Sequence, residues 1–194
     1  NRDAAWRVFS QIANFAFLIT ALLSFFVAIF AQPLIEHPLG IAPGFTPDQQ
    51  SLVVELMRLN LIGTLIFSMA GLLIAGLQAN QHFLLPAIGP ILYNVGQILG
   101  AVILAPETGY SFGPITLPAY GMGVYGLVYG VLFGSALYFL IQIPGLIAYK
   151  FKWTPKINLR DLDVRKILVM LGPRVASMFL YQLTFIARDM PELN

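Results

Sequence analysis

Between Gln81 and Ala101 the chain reads QHFLLPAIGPILYNVGQILGA. The stretch is apolar almost throughout and holds no Asp, Glu, Lys or Arg. A helix needs about 20 such residues to cross a bilayer. Yet it carries Pro86 and Pro90, four residues apart, and then the amides Asn94 and Gln97. Steps of four, four and three place all four residues on one helical face. An interior proline frees a backbone carbonyl and kinks the helix. Amides are costly toward lipid, so this face is expected to look into protein or a water-filled cavity. Two readings of it stay open. One is an interhelical hydrogen bond with a packing kink; the other is a kinked, cavity-lining helix that bends in operation.

The same character continues on both sides. No Asp, Glu, Lys or Arg lies between Arg58 and Glu107, nor between Glu107 and Lys150. The 194 residues are 58% hydrophobic and 10% charged, against about 25% charged in soluble domains. Five segments are long and apolar enough to span: 8–35, 59–78, 83–105, 122–149 and 167–187. These lengths exceed the 10–14 residues usual for helices of globular proteins. They do not alternate over about ten residues, as barrel strands would. The expected fold is therefore all-α, a polytopic transmembrane bundle of about five spanning helices.

Lys and Arg in the loops set the orientation. Arg2 and Arg7 precede the first span, and Lys150, Lys152, Lys156, Arg160, Arg165 and Lys166 follow the fourth. Together they are eight of the eleven cations, all on one side if the spans alternate. That side is expected to be cytoplasmic. The loops at 36–51 and 106–121 then face outward. The run 150–166 reads as a basic link able to lie on anionic lipid as an amphipathic segment, or as a solvated linker. Thr46-Pro47-Asp48-Gln49 is a capping-box pattern that starts the second long helix near Pro47. Glu55 and Arg58, three apart, are placed to pair.

Gly126, Gly130 and Gly134, with Gly123 just before, form a doubled small-residue stripe. It lets another backbone approach closely where lipid provides no hydrophobic drive. Ser68, Gly71, Ala75 and Gly76 give a weaker stripe of the same kind. Arg174 follows Pro173 near the start of the last span, with Gln182 eight residues on along the same face. Arg174 either snorkels to the interface or faces a cavity and an anionic head group.

The chain has no cysteine, which excludes disulfides, thiolate metal sites and a Cys nucleophile. His37 and His82 are far apart and read as interfacial loop residues. No Ser-His-Asp set, Gly-rich phosphate loop or HExxH occurs, and the carboxylates of the outer loops are dispersed. No enzyme, catalytic residue, metal or organic cofactor is expected. The net charge of +2 gives no argument for nucleic acid. A membrane scaffold with a closed, dry bundle is a competing reading.

Certain residues carry a resemblance. IAPGF (Ile41–Phe45), SMAGLLIAGLQANQHFLLPAIGPILYNVGQILGA (Ser68–Ala101), YGLVYGVLFGSALYFLIQIPGL (Tyr125–Leu146) and VMLGPRV (Val169–Val175) resemble the bacterial lipid II flippases of the MurJ/MviN type. These belong to the multidrug/oligosaccharidyl-lipid/polysaccharide exporter superfamily. The resemblance implies two helical lobes, about fourteen helices in all, that rock by alternating access. Their cargo is undecaprenyl-linked peptidoglycan precursor, crossing the bacterial inner membrane. It implies lipid-linked precursor and membrane lipids as partners, together with further helices of the same protein.

Residues 1–149 would then be four spans of the N-terminal lobe, 150–166 the cytoplasmic lobe-to-lobe link, and 167–194 the first helix of the second lobe. The family's cavity arginines lie mainly on helices with no counterpart here. Pro86, Pro90, Asn94, Pro173 and Arg174 carry over as supporting architecture only. ARDMPELN, at the end, departs from the family pattern. The chain is expected to be an internal fragment that does not transport alone. A sister exporter of polysaccharide-lipid or drugs is the alternative within the superfamily.

Overall fold

The computed structural model describes residues 2–37 and 44–189, without the side chains at 112, 115, 183 and 185–189. Most of the expected outer loop Ile41–Phe45 lies outside these residues. In chain order the elements are α1 (Arg2–Ile29), α2 (Ala31–Glu36), α3 (Pro47–Ala79) and α4 (Leu84–Leu99). The last of these runs into one π-helical turn, Gly100–Leu104. A two-residue hairpin, β1 (Ser111–Phe112) with β2 (Ile115–Thr116), precedes α5 (Val124–Leu140), α6 (Ile143–Ala148) and α7 (Leu162–Asp189). Gly113, with φ of +62°, sits where a tight hairpin turn needs glycine.

Among the described residues four helical stretches are long and apolar enough to cross a membrane: Arg2–Ile29, Pro47–Ala79, Leu84–Leu104 and Val124–Ala148. The protein is an all-α polytopic bundle. The fifth expected span, 167–187, is helical within α7 but includes several of the undescribed side chains. The chain forms two compact units, Phe15–Phe151 and Asn1–Asn14 with Lys152–Asn194.

In the larger unit, α3 opens on the capping box that its sequence predicts. The Thr46 hydroxyl accepts from the Gln49 N–H at 3.4 Å, and Gln49 Oε1 accepts from the Thr46 N–H at 3.0 Å. With 33 residues, α3 is about 50 Å long and overreaches a hydrocarbon core of about 30 Å. Its charged first turns extend beyond the apolar run. Glu55 and Arg58 do not pair there. Glu55 accepts from the Tyr125 hydroxyl. Arg58 Nε donates to the Ala28 carbonyl at 3.0 Å, one of the orphan acceptors at the end of α1. Close by, Ala31 and Ile35 of α2 and Val54 of α3 form a small buried cluster.

The buried stripe of α3 also differs from the expected one. Gly63, Ala70, Leu73, Gly76 and Leu77 are buried, whereas Gly71 and Ala75 are exposed. Small size alone does not mark the packed face when Leu73 and Leu77 share it.

Two helix ends use residues other than glycine in the left-handed region. After α3, His82 N–H bonds to Leu77 O and Gln81 N–H to Gln78 O, with Gln81 at φ +60°. After α6, Phe151 N–H bonds to Leu146 O and Lys150 N–H to Ile147 O, with Lys150 at φ +54°. Both are Schellman ends that satisfy orphan carbonyls.

In the smaller unit, residues 152–161 form no helix, and the amphipathic segment expected over 150–166 becomes helical only at Leu162. The reason is local. Pro155 disfavours helix in the residue before it, and side chains of α1 take the link's backbone groups. Asn14 Nδ2 donates to the carbonyls of Thr154 (2.7 Å) and Lys156 (3.1 Å). Gln11 Oε1 accepts from Asn158 N–H at 3.1 Å, and the Ser10 hydroxyl reaches Lys152 O at 3.4 Å. Asp161 then caps α7, its side chain accepting from Asp163 N–H at 3.0 Å.

Candidate functional site

The tightest joint in the larger unit is the antiparallel hairpin of α4, its π turn and α5. Gly96 lies against Gly134, Gly100 against Gly130, and Ala105 against Gly126. A Cβ on Gly100 would sit 2.6 Å from Cα of Gly130, and one on Gly130 equally 2.6 Å from Cα of Gly100. A Cβ on Gly126 would meet the Ala105 nitrogen at 2.5 Å. No side chain fits these positions unless the backbones part. Gly96 and Gly100, the partner stripe, repeat the four-residue spacing of the α5 glycines, so that signal was present in the sequence.

The loop end of this hairpin is closed by backbone bonds. The N–H groups of Tyr120, Met122 and Gly123 donate to the carbonyls of Ile103, Leu104 and Ala105 at 3.1, 2.9 and 2.9 Å. A π turn is a wide turn often found at working sites. Here it ends α4 where the backbone contact with Gly130 is closest.

The four residues singled out on α4 fall into different environments. Pro86 is buried beside Gly89 and Gly96, whereas Pro90 and Asn94 are exposed and Gln97 is half-buried. The packed face is the glycine face, and Pro90 and Asn94 turn away from it with Ile91, Val95 and Ile98. On α7, Arg174 and Gln182 are both exposed. Pro173 lies inside that helix.

A groove of about 400 Å³ opens among α3, α4 and α5. Asn60, Thr64, Phe67 and Ser68 line it from α3, Tyr93 from α4, and Ser135 from α5. Phe67 stacks on Tyr138 with ring centroids 4.5 Å apart and meets Tyr93 edge-on at 5.1 Å. The hydroxyls of Thr64 and Ser135 donate to carbonyls four residues back, at 3.1 and 2.8 Å. Ser68 reaches Thr20 at 3.5 Å. The sequence reading placed only Ser68 near this surface. The four-residue spacing of Asn60, Thr64 and Ser68 was the available signal.

Gln142, fully buried where α5 gives way to α6, was also missed. Its Nε2 donates to Tyr138 O at 3.2 Å and to Leu85 O at 3.5 Å, while Oε1 has no partner among the described residues. It ties the start of α6 to the start of α4. Among the described residues no group of three His, Cys, Asp or Glu could hold a metal ion. The site offers neutral hydroxyls, amides and rings on a rigid backbone joint. These groups suit positioning and packing.

The chain matches the family model of the lipid II flippase MurJ over residues 1–189. It is 30% identical over 155 residues to the lipid II flippase MurJ of Burkholderia cenocepacia, covering 76% of this chain and 27% of that protein. It is 26% identical over 185 residues to a probable lipid II flippase MurJ of Buchnera aphidicola, covering 91% and 33% respectively. A third relative, a probable lipid II flippase MurJ of a Synechocystis species, is 28% identical over 143 residues, 73% of this chain and 26% of its own. The chain thus spans about a quarter to a third of the length of these relatives. No solved structure matches it.

Proposed function

Because the chain belongs to the MurJ family of lipid II flippases, we propose that it is a section of a transporter that turns lipid-linked peptidoglycan precursor across the bacterial inner membrane. The observation that carries this is the family match over 1–189 on four apolar helices. In this reading the whole transporter moves a lipid and makes or breaks no covalent bonds. Residues 1–149 are four spans of one lobe, 150–166 the cytoplasmic link, and the helix from 167 onward begins the second lobe. The clustering of eight of the eleven cations at the two ends of the first four spans supports that orientation.

Alternating access then has a physical basis in α4 and α5. Glycine-to-glycine packing makes the hairpin a rigid pair from Gly96 through the π turn, and bending is left to the Pro90 region. The exposed Asn94 amide and the groove at Asn60 and Thr64 supply polar groups that a dry scaffold would lack. Arg174 and Gln182, exposed on α7, take the same role on the second lobe.

A chimera tests the reading. This chain replaces the matching quarter of the Burkholderia cenocepacia flippase in cells depleted of their own. Growth, with lipid II reaching the outer leaflet, is the expected result. A chimera that inserts and accumulates normally but leaves lipid II on the inner leaflet overturns it.

A further inference from the structure

A second cavity lies in the smaller unit and owes nothing to the flippase reading. It is a groove of about 360 Å³ lined by Asp3, Ala4, Arg7, Lys152 and Thr154. It is built by the first turns of α1 and by the link, which Ser10, Gln11 and Asn14 strap to that helix. The strap fixes the backbone from Lys152 onward, and Lys152 and Arg7 line one concave surface.

Three observations say what fits there. The first is depth. Arg7 is the last charge before the charge-free run 8–35, and Lys150 is the first after the run 108–149. Arg7 and Lys152 thus stand in sequence where charge-free runs end, which is the level of lipid head groups. Trp153, which adjoins Lys152 in sequence and is exposed, is of the type enriched at the membrane interface.

The second is charge. Two cations face one carboxylate, Asp3. Its contact with Lys152 is 3.7 Å long, with both side chains 75% exposed, so it is weak and easily exchanged. Lys150, Lys156 and Arg160 continue the positive field along the link.

The third is chemistry. A planar guanidinium and an ammonium together suit a phosphate, held bidentately by the first and as a point charge by the second.

We propose that the Arg7–Lys152 groove binds the phosphate of an anionic membrane phospholipid, which locks the link against the start of α1. The test uses the 194-residue chain in nanodiscs of phosphatidylcholine alone or mixed with phosphatidylglycerol. Lipid kept by the protein after release is counted by native mass spectrometry. Preferential retention of phosphatidylglycerol is expected. A charge-assisted hydrogen bond to phosphate is worth about tenfold or more, so the double variant Arg7→Gln, Lys152→Gln should lower retention by at least about tenfold. Arg165→Gln with Lys166→Gln removes the same charge outside the groove and should leave retention within about threefold. Lys152→Arg should keep it.

Equal losses in the two double variants would reduce the effect to diffuse attraction and overturn the site. So would equal retention of the two lipids by the unaltered chain. Inorganic phosphate at millimolar concentration is expected not to displace the lipid. If it does, or if it protects residues 150–158 from proteolysis in phosphatidylcholine alone, the ligand is free phosphate and the lipid assignment falls.

Discussion

The α4–α5 hairpin and the α1–link strap hold backbone to backbone in opposite ways. In the hairpin, Gly96 and Gly100 meet Gly126, Gly130 and Gly134 with no side chain between them. In the strap, Ser10, Gln11 and Asn14 reach out and occupy the link's carbonyls and N–H groups. The first solution suits lipid, where close packing replaces the hydrophobic drive. The second suits the interface, where a chain without helix has polar groups to satisfy. The hairpin therefore tolerates no added atom, and the strap tolerates no lost one.

The largest effect should come from adding one carbon to the hairpin. Gly130→Ala puts a Cβ 2.6 Å from Gly100 Cα and is expected to destabilise by about 2–3 kcal/mol, as overpacking does. Gly71→Ala is the matched control. A Cβ there meets nothing within 4 Å, so helix propensity alone should stabilise it by up to about 1 kcal/mol. Reversible unfolding in mixed detergent micelles measures both. Equal effects would show that the hairpin can open at little cost, and the rigid-pair account would fail.

The strap should break more gently. Asn14→Ala removes two hydrogen bonds, at 2.7 and 3.1 Å to the carbonyls of Thr154 and Lys156. A loss of about 1–2 kcal/mol is expected. Hydrogen exchange should rise at residues 152–158 and stay unchanged across α4 and α5. Faster exchange in the hairpin as well would mean that the two joints are one cooperative structure.

These two joints were unequally legible in the sequence. Length and missing charge gave the spans, because a bilayer sets one dimension for every crossing helix. The capping box at Thr46 was readable because its two bonds join residues three apart. The α5 glycine stripe was visible, but its partners Gly96 and Gly100 were overlooked beside the prolines and amides of the same segment. Pro86 and Asn94 share a helical face by spacing, yet the first is buried and the second exposed. Spacing fixes angle about the axis, and a neighbour can cover one end of a face and not the other. The strap was illegible, since Asn14 and Thr154 are 140 residues apart and polar side chains near a basic link suit a solvated linker equally well. Gln142 sat in an apolar run with no local pattern to mark its burial.

The smallest effect concerns how the chain enters each joint. Gln81 turns it out of α3 toward the hairpin, and Lys150 turns it out of α6 toward the link. Both stand at positive φ, +60° and +54°, where a Cβ crowds the following carbonyl at a cost of roughly 1–2 kcal/mol. Glycine avoids that crowding but has more freedom to lose on folding. Gln81→Gly and Lys150→Gly should therefore each stabilise by about 0.5–1 kcal/mol, read from the same unfolding transition in micelles carrying either a neutral or an anionic lipid. The sign is the test. If either variant destabilises, the side chain at that turn holds a contact worth more than the strain of its backbone. At Lys150 that contact would be with the lipid surface, and the loss should shrink in neutral lipid. At Gln81, whose amide carries no charge, the loss should be the same in both lipids.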